Sequence, residues 1–375
     1  MAGPAYPPTR AVSALVQEHF TRHITSTHLQ GRHAPPPLPD TPTIEAIIDA
    51  AFWGSLRREE GYFPKISLAF LSREQAGQPL TFERPLPLIP VALSRLAPAV
   101  ERPGIHLGVW RYGDELCVWG TTRTVPMLCF VLEVIEPGLL VVKYRGGQDP
   151  NKFVNVAVLR GDEVKVVDKE GGARMPDFPS FLNSLLGSPA DSINVLVQLS
   201  LSMRMHGRGG TLLVVPHNTD LWRESILQPV SYSVSPPFSE LTELIIQEAS
   251  ERSGRSWREG FRRAIDAIAG LTAVDGATLI NSRYELLAFG AKIGRRDGGS
   301  QVEQVIMTEP VLGAAASIVN PVQLGGTRHL SAAQFVQDQR DSGALVASQD
   351  GRFTVFAWSP SEEIVRAHLV EALLL

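Results

Sequence analysis

Between Thr43 and Arg58 the apolar residues Ile44, Ile47, Ile48, Ala51 and Phe52 recur at helical spacing. One helix face carries them all, which predicts a helix here with Thr43 as its cap. After Gly61 the pattern changes to short apolar runs. These are Ile66–Leu71, Ile105–Trp110, Glu115–Gly120, Cys129–Ile135, Leu139–Tyr144, Val154–Leu159 and Val164–Val167. Turn signals such as Tyr112–Gly113–Asp114 and Glu136–Pro137–Gly138 separate them, which predicts a largely antiparallel sheet. A helix over Ile193–His206, the glycine cluster His206–Gly210 and the apolar strand Thr211–Val215 read as the close of that domain.

The Pro- and Ser-rich stretch Leu227–Phe238 interrupts the pattern and reads as a domain junction. Beyond it, Ser239 opens a helix running to Arg252, and a second helix covers Trp257–Leu271. Strands Ala277–Asn281 and Leu286–Ala291, a glycine-rich loop at Arg295–Ser300 and a helix Ala332–Gln339 follow. Strands Ala344–Ser348 and Phe353–Trp358 and a last helix Ser361–Leu374 complete the chain. At the other end, Ala11–Phe20 suits a short helix, but the proline run within His33–Pro42 cannot be helical. The expected division is a flexible segment over residues 1–42, an α+β domain over 43–230 and an α/β domain over 239–375. The fold class is α+β, with a mixed central sheet between helices in the second domain.

A length of 375 residues exceeds one ordinary core and agrees with more than one domain. The 35 Lys and Arg against 39 Asp and Glu leave a net charge of −4, which argues against broad, salt-driven nucleic-acid binding. It leaves room for a local basic pocket. The two cysteines, Cys117 and Cys129, fall in strand-like runs and read as buried residues, not as a disulfide or zinc framework. No apolar run reaches the ~18–20 residues needed to span a bilayer. The start of the chain lacks the pattern of a secretory signal, so the expected location is the cytoplasm.

Two short motifs carry candidate chemistry. Asp275–Gly276–Ala277 joins an apolar helix to the strand that follows. Gly326–Thr327–Arg328–His329 opens a helix. Alone, each is ordinary: Asp-Gly is a turn dipeptide that recurs at Asp297–Gly298 and Asp350–Gly351, and a polar helix start is usually a cap. Even so, a helix start with a glycine, a hydroxyl and a cation suits a phosphate, because free N–H groups and the helix dipole point at it.

Taken in order with their flanks, VDGATLINSRYELLAFGAKI (Val274–Ile293), GTRHLSAAQFV (Gly326–Val336) and ALVASQDGRFTVF (Ala344–Phe356) resemble the diadenylate cyclase family, which includes the DNA integrity scanning proteins. The resemblance implies condensation of two ATP into cyclic di-AMP. It implies that Asp275 binds Mg2+ or Mn2+, with Gly276 and Ala277 beside it, and that Gly276 leaves room for nucleotide. Thr327, Arg328, His329 and Ser331, with Gly326 and Ser348, would hold the triphosphate. Phe289, Gly290, Ala291 and Ile293 would line adenine. Two protomers would self-associate with facing sites, since each 3′-hydroxyl must reach the other's α-phosphate. The family's Arg-His-Arg triplet reads Arg328–His329–Leu330 here, which removes a cation; Arg295, Arg296 and Arg340 are candidates to replace it. The alternative is an impaired sensor of ATP or cyclic di-AMP that keeps the fold. Upstream, Ser55–Phe70 and Gly207–Pro216 resemble the sensor domain found ahead of some bacterial diadenylate cyclase domains, which implies regulation.

Overall fold

Two sheets take up almost every apolar run. The computed structural model describes residues 5–28, 38–59, 61–146, 153–168, 194–247 and 251–375. The chain divides after Asp168 into two compact units.

In the first unit the strands are β1 (Ser67–Phe70), β2 (Leu80–Pro87), β3 (His106–Tyr112), β4 (Glu115–Thr122), β5 (Phe130–Glu136), β6 (Leu139–Arg145), β7 (Phe153–Arg160) and β8 (Glu163–Val166). Among the described residues they form one sheet in the order β2-β4-β3-β1-β5-β6-β7-β8. β1 and β3 run parallel, while β1 and β5 and the hairpins β3–β4, β5–β6, β6–β7 and β7–β8 are antiparallel, as the turn signals require. Alternation sorts the side chains: Leu68 and Phe70 join Phe130 and Leu132 in one core, whereas Ala69 and Leu71 meet Trp119, Cys129 and Val131 on the other face. Both cysteines are buried and free, and burial pushes the Cys129 thiol up to about 12.

Helices α1 (Pro8–His28), α2 (Thr41–Ser55) and α3 (Pro90–Leu96) belong to this unit. The N-terminal segment therefore differs from the flexible tail expected over residues 1–42. α1 is longer than the predicted helix, and its Val12, Val16 and Phe20 are buried in the same core as Ile44, Ile47 and Ile48 of α2. That burial favours a helix that local composition alone leaves undecided. Half of the predicted proline linker, residues 33–37, lies outside the described residues, and its end differs from the expectation: Thr41 and Pro42 open α2, where a proline in the first turn loses no helical hydrogen bond. The cap of α2 is Asp40, whose carboxylate accepts from Thr43 N at 3.0 Å, so Thr43 is the capped residue and not the cap.

The second unit holds β9 (Gly210–Val215), β10 (Tyr232–Phe238), β11 (Ala277–Asn281), β12 (Leu286–Ala291), β13 (Val305–Thr308), β14 (Ser317–Val319), β15 (Gly343–Ala347), β16 (Phe353–Ser359) and β17 (Ile364–Leu369). Among the described residues their order is β10-β12-β11-β9-β15-β16-β17-β13-β14, a mixed sheet with β9–β11 and β13–β17 parallel. The helices are α4 (Val195–Met205), α5 (Glu240–Ile246), α6 (Arg255–Leu271), α7 (Val322–Gly325), α8 (Thr327–Asp338) and α9 (Glu371–Leu374). In α6, Phe261, Ala264, Ile265, Ile268 and Ala269 form a buried stripe, and with α4 they cover Leu212, Val214, Ile280 and Leu345. On the opposite face, Ala332, Phe335 and Val336 of α8 cover Leu213, Val215, Leu279 and Val346.

Here the domain boundary moves. α4 and β9, assigned from the sequence to the end of the first domain, belong to the second sheet, where β9 lies between β11 and β15. All six residues of β9 are buried, so it needs neighbours on both edges and cover on both faces, which only this sheet provides. The Pro/Ser-rich junction is itself edge strand β10, paired with β12, and an edge tolerates Pro236 and Pro237 because no ladder hydrogen bond is required of them. The helix expected over Ser361–Leu374 is instead β17 followed by the short α9, since pairing with β16 outweighs helical spacing.

Two predictions follow from these placements. A fragment of residues 194–375 should unfold cooperatively in urea, whereas one of residues 239–375, lacking β9, should show no cooperative transition by circular dichroism. His368 Nδ1 lies 2.7 Å from Thr308 Oγ1, and burial pushes its imidazole down to about 4. The unfolded state then binds the proton first, so stability should fall as pH drops from about 6.5 toward 4. The slope should reach about 1.4 kcal/mol per pH unit from this residue, and His368→Gln should flatten it in urea melts.

Candidate functional site

Strand direction gathers the motif residues. Parallel β9 and β11 both begin at one edge of the second sheet, with Thr211 opposite Ala277. Antiparallel β15 ends there, with Ala347 opposite Gly210. The loops at 208–210, 274–276 and 348–349 therefore converge. α8 starts over the same edge: a Cβ on Gly209 would stand 2.9 Å from Arg328 Nη1 and 3.2 Å from Ala347 O. Gly209, at φ +69°, is required by that close approach.

Asp275 is highly exposed and its Oδ2 accepts from Lys292 Nζ at 2.5 Å. The Lys292 hydrogen bond, then the Lys292 charge, hold the Asp275 carboxyl below its ordinary range, and the Arg328 charge adds to the effect. Asp275 and Arg328 thus share one edge. No side chain caps the start of α8, whose first N–H groups lack intrahelical partners and are free to meet an anion. Thr327 and Arg328 are exposed there, beside Gly326. Gln349 Nε2 donates to Arg208 O at 3.3 Å, linking the end of β15 to the glycine loop.

Other motif residues have structural partners. His329 is 1% exposed, with Nε2 3.2 Å from Thr354 Oγ1 and its ring edge toward Phe356. Burial lowers its pKa, so at neutral pH it is an uncharged pillar under the helix start and adds no positive charge there. Ser331 Oγ donates back to Thr327 O at 2.8 Å within the helix. The half-buried Ser348 lies at the edge, its hydroxyl bonded to the Asp350 carboxylate. Gly276 has φ +116°, and a Cβ there would meet Gly290 C at 2.5 Å, so the glycine makes room for β12. Ala277 and Ala291 are buried opposite each other on β11 and β12.

The stretch expected to line adenine is largely occupied. Tyr232 stacks on Phe289 at 4.7 Å and 10°, and a Cβ on Gly290 would run into the Tyr232 ring. Leu227 N donates to Lys292 O, and Ile293 bridges to Ile226. Segment 225–233 thus pairs along the outer backbone edge of β12 and of the residues that follow it. Arg340 lies 4.1 Å over Trp358, and Arg296 pairs with Glu224 at 2.8 Å. Arg296 lines a cavity of about 600 Å³ with Pro216 and Ser342, at the opposite end of β9 and β15, so it is not the replacement cation.

Residues 33–123 match the family model described as probable sensor domain DACNV. This is the kind of domain found ahead of diadenylate cyclase domains. The match spans α2 to β4, which lie within the first unit. No curated protein matches the chain. The sequence places His206–Gly210 at the close of the first domain and assigns no role to Arg208 or Lys292. The available signal was the uninterrupted apolar run of β9 behind the glycines, which marks a central strand with its loop at the mouth of a sheet.

Among the described residues no three His, Cys, Asp or Glu side chains cluster as a ready-made cage. Mg2+ is commonly held by one or two carboxylates with phosphates and water completing the shell, and an exposed Asp275 fits such shared ligation. Gly276→Ala should cost about 1–3 kcal/mol, from positive φ and the clash with Gly290, as a lowered urea midpoint at unchanged slope.

Proposed function

We propose that the second unit is a diadenylate cyclase domain, condensing two ATP into cyclic di-AMP and two pyrophosphates, with the sensor unit regulating it. The observation that carries this reading is the convergence of Asp275, Arg328 with the uncapped start of α8, and the Gly209–Gly210 loop at one sheet edge. The match of residues 33–123 to a sensor domain of the kind found ahead of such cyclases supports it independently.

In each half-reaction a 3′-hydroxyl oxygen attacks the α-phosphorus of the other ATP and pyrophosphate leaves, so chemistry is mainly positioning and charge neutralisation. Arg328 and the free N–H groups of Thr327 and its neighbours would grip phosphate oxygens. Asp275 would hold Mg2+ or Mn2+, which supplies Lewis-acid charge at the phosphate. Because one edge offers one nucleotide's worth of groups, two copies must face each other across a two-fold axis. A second reading, a nucleotide sensor without turnover, is favoured by Leu330, which packs against the core where a further cation is absent.

Labelled ATP with Mn2+, followed by chromatography, decides between them. Asp275→Asn should lower cyclic di-AMP formation about a hundredfold or more. Nucleotide binding without product at any metal or protein concentration would establish the sensor reading instead. Absence of both would remove each.

A further inference from the structure

We propose that Lys292 is an exchangeable counter-ion: it holds the Asp275 carboxylate in the nucleotide-free site and moves onto the triphosphate when ATP arrives. The inference rests on the cyclase or nucleotide-sensor reading of this edge and names the residue that couples its metal and nucleotide.

The observations are local. Lys292 Nζ stands 2.5 Å from Asp275 Oδ2, and their side chains are 50% and 92% exposed. Exposed pairs hold loosely, and the lysine stem is long and rotatable, so the ammonium can swing without disturbing the sheet. The backbone of Lys292 is fixed meanwhile, its carbonyl accepting from Leu227 N at 2.8 Å.

The cation supply at this edge, where the glycine loop adds only the exposed Arg208, also favours it. A triphosphate carries several charges, yet the start of α8 contributes Arg328 only, because His329 is buried and neutral and Leu330 is apolar and core-packed. Arg296 is engaged with Glu224, and Arg340 lies on Trp358. Lys292 is the cation already in contact with the motif carboxylate. While that contact persists, Asp275 offers a metal ion a neutralised partner. Transfer of the ammonium to phosphate frees the carboxylate at the moment a phosphate-bound ion needs it, so metal and nucleotide are taken up together.

The test uses the full chain and 3′-deoxy-ATP, which lacks the attacking hydroxyl. Calorimetry with Mn2+ present measures analogue binding; electron paramagnetic resonance measures Mn2+ binding without nucleotide. Lys292→Met should weaken the analogue about tenfold while tightening Mn2+ alone about threefold. Lys292→Arg should stay within about twofold of wild type for the analogue. A merely structural lysine would weaken both ligands together, which overturns the proposal, as does unchanged analogue binding in Lys292→Met. If the wild-type chain fails to bind the analogue, the nucleotide reading itself falls. If it binds and the opposite shifts are absent, only the role of Lys292 is lost.

Discussion

The position of β9 between β11 and β15 is the constraint on which the second unit depends. Parallel pairing with one neighbour and antiparallel pairing with the other make two strand starts and one strand end meet at a single edge. Three loops from distant parts of the chain converge there, without any of them being long. The apolar side chains that alternate off β9 also anchor the helices: Leu213 and Val215 seat α8, while Leu212 and Val214 seat α4 and α6. Arg328 therefore reaches Gly209 because of how strand and helix pack, not because of any direct bond between the motifs.

The electrostatic character of that edge is a balance between exposed groups. Asp275 is neutralised by Lys292 and sensed by Arg328, and the helix start adds partial positive charge. Burial removes His329 from that balance and turns it into packing under the helix. The result is one exposed carboxylate flanked by Lys292 and Arg328, with no cluster of three metal-ligating side chains among the described residues.

In the first unit the local hairpins β3–β4, β5–β6, β6–β7 and β7–β8 are joined into one sheet by the non-local pairs β1–β3, β1–β5 and β2–β4. The sensor match ends at residue 123, after β4, whereas the same sheet continues through β8. The core formed by α1 and α2 with β5 and β6 draws on residues on both sides of that limit, so the folded unit is larger than the matched segment.

Much of this was legible in the chain itself. Alternating runs with turn dipeptides located β3 to β8 within a residue or two, and the apolar stripe of α6 needed no tertiary information, because both signals are local. The motifs Asp275–Gly276 and Gly326–Arg328 were likewise visible as residue types. Which strands are neighbours was not, since hydrogen bonding between β9, β11 and β15 joins residues far apart in sequence. That pairing moved α4 and β9 into the second unit, turned a Pro/Ser-rich junction into an edge strand and made β17 from a helix-like run. Only the folded chain could show that His329 faces the core, that Tyr232 covers Phe289, and that Lys292 reaches Asp275. Each depends on which way a side chain points once a strand or helix has packed, and no spacing along the sequence encodes that.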